Sequence, residues 1–240
     1  MTFSWALGAL VIFVASFVMG LSGFGIALVA MAFLPWVMSP VTAVVVLTIY
    51  ALVFSLVVVI PLRREVTPRA LTDLLIGTLA GTPLGVWVLA TLPIAALKRL
   101  IGAVLVLVVA FEFFGALPTR LTGRLWGLVA GCLAGLVGGA VGTPGPPVIV
   151  YATTQAWSPR TLKANVTGFF VANQAVILGG YWWAGLLTRE VATVTVAFAL
   201  PALAGVASGI ALFGRLDPVR FRRLVFSLLL LSGLVLLVRG

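Results

Sequence analysis

The chain contains no histidine, a single cysteine (Cys132) and only five acidic residues. These absences exclude a zinc site, a Ser-His-Asp triad and a disulfide within the chain. Few side chains remain that could act as a general base. The sequence therefore predicts a protein that is not an enzyme, with no catalytic residues, no metal site and no cofactor.

Charged residues are scarce as well, at 8% of 240 residues against 62% hydrophobic residues, and the mean hydropathy is +1.28. Soluble domains are about one quarter charged, so the composition predicts a polytopic integral membrane protein. Apolar runs fall at roughly 3–36, 41–61, 70–91, 97–115, 122–155, 160–184, 190–213 and 219–238. The first run is longer than the apolar core of a signal peptide and lacks a basic start, so we expect it to be retained. Helix starts are predicted at Ser39-Pro40, Thr67-Pro68, Ser158-Pro159 and Asp217-Pro218.

Fifteen Lys and Arg residues outnumber the acids and give a net charge of +10. The cations stand singly or in pairs between apolar runs, which is how a membrane protein marks its cytoplasmic loops. This distribution argues against a nucleic-acid partner. The expected partners are the lipid bilayer and a small anionic substrate, with a homo-oligomer left open.

The chain is predicted to be duplicated. Gly81-x3-Gly85-x12-Lys98-Arg99-Leu100 recurs 124 positions later as Gly205-x3-Gly209-x12-Arg222-Arg223-Leu224. Ser39-Pro40 recurs 119 positions later, and two glycine-broken segments correspond at an offset of about 115. We therefore expect an all-α fold of two homologous repeats, 1–116 and 117–240, each made of a broken helix plus three spans.

The topology follows from where the cations fall. Eight simple spans would give parallel repeats and divide the cations 7 to 8, against the usual positive-inside asymmetry. If the first segment of each repeat is instead a re-entrant hairpin, the repeats are inverted and the division becomes 11 to 4, with both termini outside. The inverted arrangement is favoured, and whether the broken segments cross or re-enter stays open.

Both broken segments are rich in glycine. The first contains Gly20-Leu21-Ser22-Gly23-Phe24-Gly25, and the second runs from Gly135 to Pro147. In hydrocarbon, irregular backbone is tolerated only where it is packed in protein or lines a cavity. A helix that restarts there points free N–H groups and a partial positive charge into the gap, which predicts an anion site. Close helix packing is the competing explanation, and we adopt it for Gly81, Gly85, Gly127, Gly131, Gly135, Gly205 and Gly209.

Polar side chains close to the breaks complete the predicted site. Asn173 and Thr167 lie in the span that follows the second break, together with Asn165 and Gln174, which cost most to bury unpaired. A structural role is as well supported as a ligand role for each of them. The predicted substrate-binding residues are Ser22, Gly23, Phe24, Gly25, Gly138, Gly139, Gly142, Thr143, Gly145, Pro146, Tyr151, Asn165 and Gln174.

The segments Gly20-x2-Gly23-Phe24-Gly25 and Gly135-x2-Gly138-Gly139-x2-Gly142-x2-Gly145-Pro146-Pro147-x3-Tyr151 resemble the TauE/SafE sulfite exporter family, also described as sulfonate uptake permeases. The resemblance covers essentially the whole chain. It implies a multi-pass secondary transporter of the prokaryotic inner membrane that exports or takes up sulfite, thiosulfate or organosulfonates. An anion channel and a membrane subunit of a larger complex are the alternatives.

Overall fold

The computed structural model describes residues 2–22, 25–114, 121, 123–212 and 218–239, leaving aside the side chains of 2–4, 22, 112–114 and 218–224. The described residues form helices and short turns and include no strand, so the predicted all-α fold class is confirmed. The helices are α1 (Thr2–Ser22), α2 (Ile26–Met31), α3 (Pro40–Val59), α4 (Pro68–Thr91), α5 (Ile94–Phe114), α6 (Arg124–Val141), α7 (Gly145–Thr153), α8 (Pro159–Trp183), α9 (Arg189–Ala197), α10 (Ala199–Leu212) and α11 (Pro218–Arg239). Short 3₁₀ segments, Leu34–Trp36 and Ile60–Glu65, follow α2 and α3.

Proline fixes four of the helix starts, as the sequence predicts. α3, α4, α8 and α11 begin at Pro40, Pro68, Pro159 and Pro218. A proline in the first turn gives up an N–H that has no intrahelical partner. At α8 the hydroxyl of Ser158 also accepts a hydrogen bond from the Thr161 N–H at 3.2 Å. Asp217 lies outside the described residues.

Within the described part of the chain, four helical segments are long and apolar enough to cross a membrane: Pro40–Glu65, Pro68–Thr91, Ile94–Phe111 and Arg124–Val141. α9 and α10 together make a fifth if their bend of 48° is counted within one span. Shorter apolar helices are Trp5–Leu21, Ile26–Trp36 and Val225–Arg239. The predicted count of eight segments and the inverted arrangement of the repeats stay predictions.

Residues 190–213 form one continuous apolar run in the sequence, whereas the structure divides them between two helices. α9 ends at Ala197 and α10 begins at Ala199. Pro201 accounts for this division, because its ring clashes with the carbonyl of the residue four positions earlier, which is Ala197, and it has no N–H to donate.

The described helices form two compact units, each drawing on both halves of the sequence. Unit 1 comprises Met1–Leu47, Leu92–Gly115 and Leu187–Gly240. In it α1 packs on α10, and α5 packs on α11. The first contact is close because it is built from glycine: a methyl group on Gly20 would lie 2.4 Å from the Val206 carbonyl oxygen. Small residues at such positions let two backbones approach, which is how membrane helices associate without a hydrophobic driving force.

Unit 2 comprises Thr48–Thr91 and Ala116–Leu186. Its centre is the pairing of α4 with α6, against which α8 also packs. A methyl group on Gly81 would lie 2.0 Å from the Cys132 carbonyl oxygen, and one on Gly131 would lie 2.0 Å from that of Leu74. Neither residue can therefore be enlarged without moving backbone, and the packing role predicted for these glycines is confirmed.

Contacts inside each unit recur at similar spacings along the chain. Methyl groups on Gly81 and Gly205, which are 124 positions apart, would meet the carbonyls of Cys132 and Phe13, which are 119 apart. The starts of α2 and α7 are also 119 apart. The offset of 119 equals that of the two Ser-Pro pairs in the sequence. The repeat boundaries 1–116 and 117–240 stay a prediction.

Candidate functional site

Both glycine clusters interrupt a helix. In unit 1, α1 ends at Ser22 and α2 restarts at Ile26. Gly25 has a φ of 93°, in the left-handed region that glycine reaches without steric cost. The Val29 N–H donates to the Gly25 carbonyl at 3.2 Å, and every side chain of the six-residue α2 is buried. Gly23, Phe24 and the side chain of Ser22 lie outside the described residues.

In unit 2, α6 ends at Val141 and α7 begins at Gly145. Gly142 closes α6 with a φ of 75°, and its N–H donates to the Gly138 carbonyl at 2.8 Å. This left-handed cap is a common helix end, and glycine suits it best. The three linking residues 142–144 are buried, as are Gly138, Gly139 and Gly145. Six of the predicted site residues therefore lie together at this break: Gly138, Gly139, Gly142, Thr143, Gly145 and the half-buried Pro146.

The first turn of α7 is poor in hydrogen-bond donors. Pro146 and Pro147 occupy its second and third positions, and proline has no N–H. Val148 donates its N–H to the Pro144 carbonyl within the helix, so Gly145 alone offers a free backbone donor in this turn. The helix dipole still places about half a positive charge at this end. An anion here would therefore need side-chain donors in addition to the backbone.

α8 presents one face to this break. The Tyr181 hydroxyl lies 2.8 Å from the Gly139 carbonyl oxygen and 3.3 Å from that of Gly138. One turn earlier, Ile177 would be 2.8 Å from a methyl group on Gly138. Gln174 precedes Ile177 by three positions and so shares this face of the helix. The sequence analysis missed Tyr181, because a tyrosine beside Trp182 and Trp183 looks like part of an interfacial aromatic belt.

Unit 2 also encloses polar atoms that have no hydrogen-bond partner among the described residues. They are Thr82 Oγ1, Thr143 Oγ1, Asn165 Nδ2, Asn173 Nδ2 and Gln174 Oε1. Each such atom costs about 1–3 kcal/mol relative to a satisfied one. Thr143 belongs to the break, whereas Asn173 and Gln174 are adjacent on α8. Thr82 was missed by the sequence analysis because threonine within an apolar run carries no distinguishing pattern.

Thr82 and Asn173 lie against the glycine contact of α4 with α6. A methyl group on Gly135 would lie 2.9 Å from Thr82 Oγ1. The Thr78 hydroxyl, one turn earlier on α4, is 3.2 Å from Asn173 Oδ1 and 3.3 Å from the Gly131 carbonyl oxygen. The oxygen of the Asn173 amide is thus held in place while its NH₂ group has no partner.

Two predicted site residues lie away from the break. Asn165 Oδ1 accepts a hydrogen bond from the Thr67 N–H at 2.7 Å, and nine residues of α8, about 13 Å, separate it from Gln174. The Tyr151 hydroxyl would be 3.4 Å from a methyl group on Gly127, near the start of α6. These contacts place Asn165 and Tyr151 away from the break, and their part in substrate binding stays a prediction.

The two glycine-rich segments that resemble the TauE/SafE family are the places where α1 and α6 end and short helices begin. The family model described as "Sulfite exporter TauE/SafE" matches residues 8–236, nearly the whole chain. No curated protein and no solved structure matches the chain. The chain belongs to the TauE/SafE sulfite exporter family.

Proposed function

We propose that the protein is a secondary transporter of small sulfur-containing anions, such as sulfite, thiosulfate or organosulfonates, in the prokaryotic inner membrane. One observation carries the proposal: the break between α6 and α7 is buried and is accompanied by polar atoms without partners. Buried polar groups are normally paired. A ligand that accepts hydrogen bonds would remove the cost of leaving the Thr82 and Thr143 hydroxyls and the Asn173 NH₂ group unpaired. The family description names such an anion.

The binding groups we assign are the start of α7 and the neighbouring side chains. Gly145 offers its backbone N–H group, and the helix end contributes its partial positive charge. The Thr143 and Thr82 hydroxyls and the Asn173 NH₂ group supply the donors that Pro146 and Pro147 remove. Together they form a neutral, hydrogen-bonding site of the kind that broken helices build in secondary transporters.

Transport then requires the bound anion to reach each side of the membrane in turn. In transporters built from repeats, one repeat moves against the other around a site held near the midplane. The glycine contacts of α4 with α6 lie inside unit 2, so we assign them to packing and the break to the binding site.

A thermal-shift screen of the purified protein tests the proposal. Sulfite, thiosulfate, sulfate, sulfoacetate, taurine and chloride are added separately at equal ionic strength. Ligand at one hundred times its Kd stabilises the folded state by about 2.7 kcal/mol, so a sulfur anion that binds should raise the melting temperature while chloride does not. Equal shifts with all six solutes would contradict a specific site.

A further inference from the structure

A groove of about 540 Å³ lies in unit 1 at the start of α9, and no residue of either break lines it. Its walls combine apolar and charged side chains: Trp5, Val37, Met38, Arg189, Glu190, Thr193, Val194 and Phe198. Trp5 and Phe198 pack against each other with ring centroids 5.2 Å apart. The proposed transport does not use this groove.

The charged pair sits at the mouth of the groove, in the first turn of α9. Glu190 is oriented by the Thr42 hydroxyl, which donates to Oε1 at 3.2 Å and leaves Oε2 available. No ion pair joins Arg189 to Glu190 or to another acid in the described part of the chain. The groove thus offers one cation and one anion side by side.

An apolar stripe leads away from this pair. The stripe consists of Val196 in α9 and Leu200 in α10, on either side of the bend, and these side chains are 77% and 79% exposed. α9 and α10 together are long and apolar enough to form one bent span, so Arg189 marks an end of that span. Trp5 fits the same depth, since tryptophan favours the membrane–water interface.

We propose that this groove binds a phospholipid whose headgroup carries both a phosphate and a primary ammonium group. The Arg189 guanidinium pairs with the phosphate, since its planar fork matches phosphate oxygens. The free oxygen of Glu190 accepts a hydrogen bond from the ammonium. One acyl chain lies over Val196 and Leu200.

The charges discriminate among the lipids of a bilayer. An anionic headgroup satisfies Arg189 but brings no cation to Glu190. A choline headgroup carries a positive charge but has no N–H to donate to the carboxylate. An acid at a helix start and an arginine at a membrane surface are each common for other reasons, yet those reasons do not account for a groove that holds both beside an exposed apolar stripe.

Native mass spectrometry of the purified full chain tests this. Phosphatidylethanolamine, phosphatidylglycerol and phosphatidylcholine with the same acyl chains are titrated separately, and we expect the first to be retained about tenfold more tightly. Arg189→Gln should weaken retention of phosphatidylethanolamine and phosphatidylglycerol. Glu190→Gln keeps an oxygen for Thr42 and should weaken phosphatidylethanolamine alone. Arg239→Gln, at the end of α11, is the control and should change nothing.

Three outcomes would overturn the proposal. They are equal retention of the three lipids, a Glu190→Gln variant that still prefers phosphatidylethanolamine, and binding of free glycerophosphoethanolamine as tight as that of the lipid. The last result would assign the groove to a soluble zwitterion. None of these results depends on sulfur-anion transport.

Discussion

The hydroxyl of Tyr181 lies 2.8 Å from the carbonyl oxygen of Gly139, so α8 holds the end of α6 at the point where that helix breaks. The last four carbonyls of a helix have no intrahelical partner. The Gly142 N–H donates to the carbonyl of Gly138, and the Tyr181 hydroxyl donates to the carbonyl of Gly139. The break is thus a built structure with its own hydrogen bonds.

Tyr181→Phe should destabilise the protein by about 1–3 kcal/mol, because it leaves the Gly139 carbonyl buried without a partner. Chemical unfolding of the detergent-solubilised protein measures this directly. Thr91→Val is the control, since the Thr91 hydroxyl bonds the Trp87 carbonyl at an exposed helix end and its loss should be nearly neutral. Equal effects of the two substitutions would mean that Tyr181 does not support the break.

Gly142→Ala should cost about 1–2 kcal/mol, because a side chain is strained in the left-handed conformation. The same holds for Gly25→Ala, and there the cost is conformational alone, since nothing lies within 4 Å of the added methyl group. Gly179→Ala on α8 is the matched control: it also has open space, but it has an ordinary helical φ. In thermal unfolding, the Gly179→Ala protein should therefore have a higher melting temperature than the Gly142→Ala and Gly25→Ala proteins. Equal melting temperatures for the three variants would mean that the left-handed conformation does not require glycine at positions 25 and 142.

Gly81→Ala should reduce the amount of folded protein, because it disturbs a contact between helices. Its methyl group would lie 2.0 Å from the Cys132 carbonyl oxygen, so α4 and α6 must separate. We expect a large loss of folded, membrane-inserted protein, measured by fluorescence-detected size exclusion. Gly142→Ala should still yield folded protein under the same conditions. Normal yield of the Gly81→Ala protein would mean that the close contact of these helices is not needed for folding.

Gln174→Met separates a ligand role from a structural one. Methionine has a similar length and removes the unpartnered buried oxygen. If Gln174 serves the substrate, the variant should melt at a higher temperature than the parent protein and lose the stabilisation by sulfite. A lower melting temperature with an unchanged response to sulfite would assign Gln174 to the fold.

The proposed site should prefer monoanions to dianions. Its groups are neutral donors and one helix end, and the cost of removing a charge from water rises with the square of that charge. Uptake of sulfite into proteoliposomes should therefore increase as mildly alkaline buffer is made mildly acidic and hydrogen sulfite replaces the dianion. Methanesulfonate, a monoanion throughout, is the control and should show no such increase. Faster uptake of sulfite at alkaline pH would contradict the preference.

Apolar runs, prolines and glycines were enough to predict four helix starts and the interruptions at both glycine clusters. Pro40, Pro68 and Pro159 mark helix starts because proline restricts the backbone wherever it occurs, and Gly142 and Gly25 mark left-handed positions for the same local reason. The division at Ala197 followed from Pro201 by the same local rule, although the apolar run concealed it.

The partners across helices could not be predicted in this way. The Tyr181 contact with Gly139 joins residues 42 positions apart, and the Thr78 contact with Asn173 joins residues 95 apart. The hydropathy of a sequence does not specify such pairs, because they depend on which faces of the helices pack against each other. For this reason the sequence could not show that Asn165 and Tyr151 lie away from the break.

The most direct test of the account is counterflow of labelled sulfite in proteoliposomes that contain the parent protein, Gly142→Val or Gly179→Val. The account predicts that unlabelled sulfite inside drives saturable accumulation of label by the parent and by Gly179→Val, and that Gly142→Val inserts but accumulates none. Accumulation by Gly142→Val at the parent rate would contradict the site, and flux without counterflow would indicate a channel.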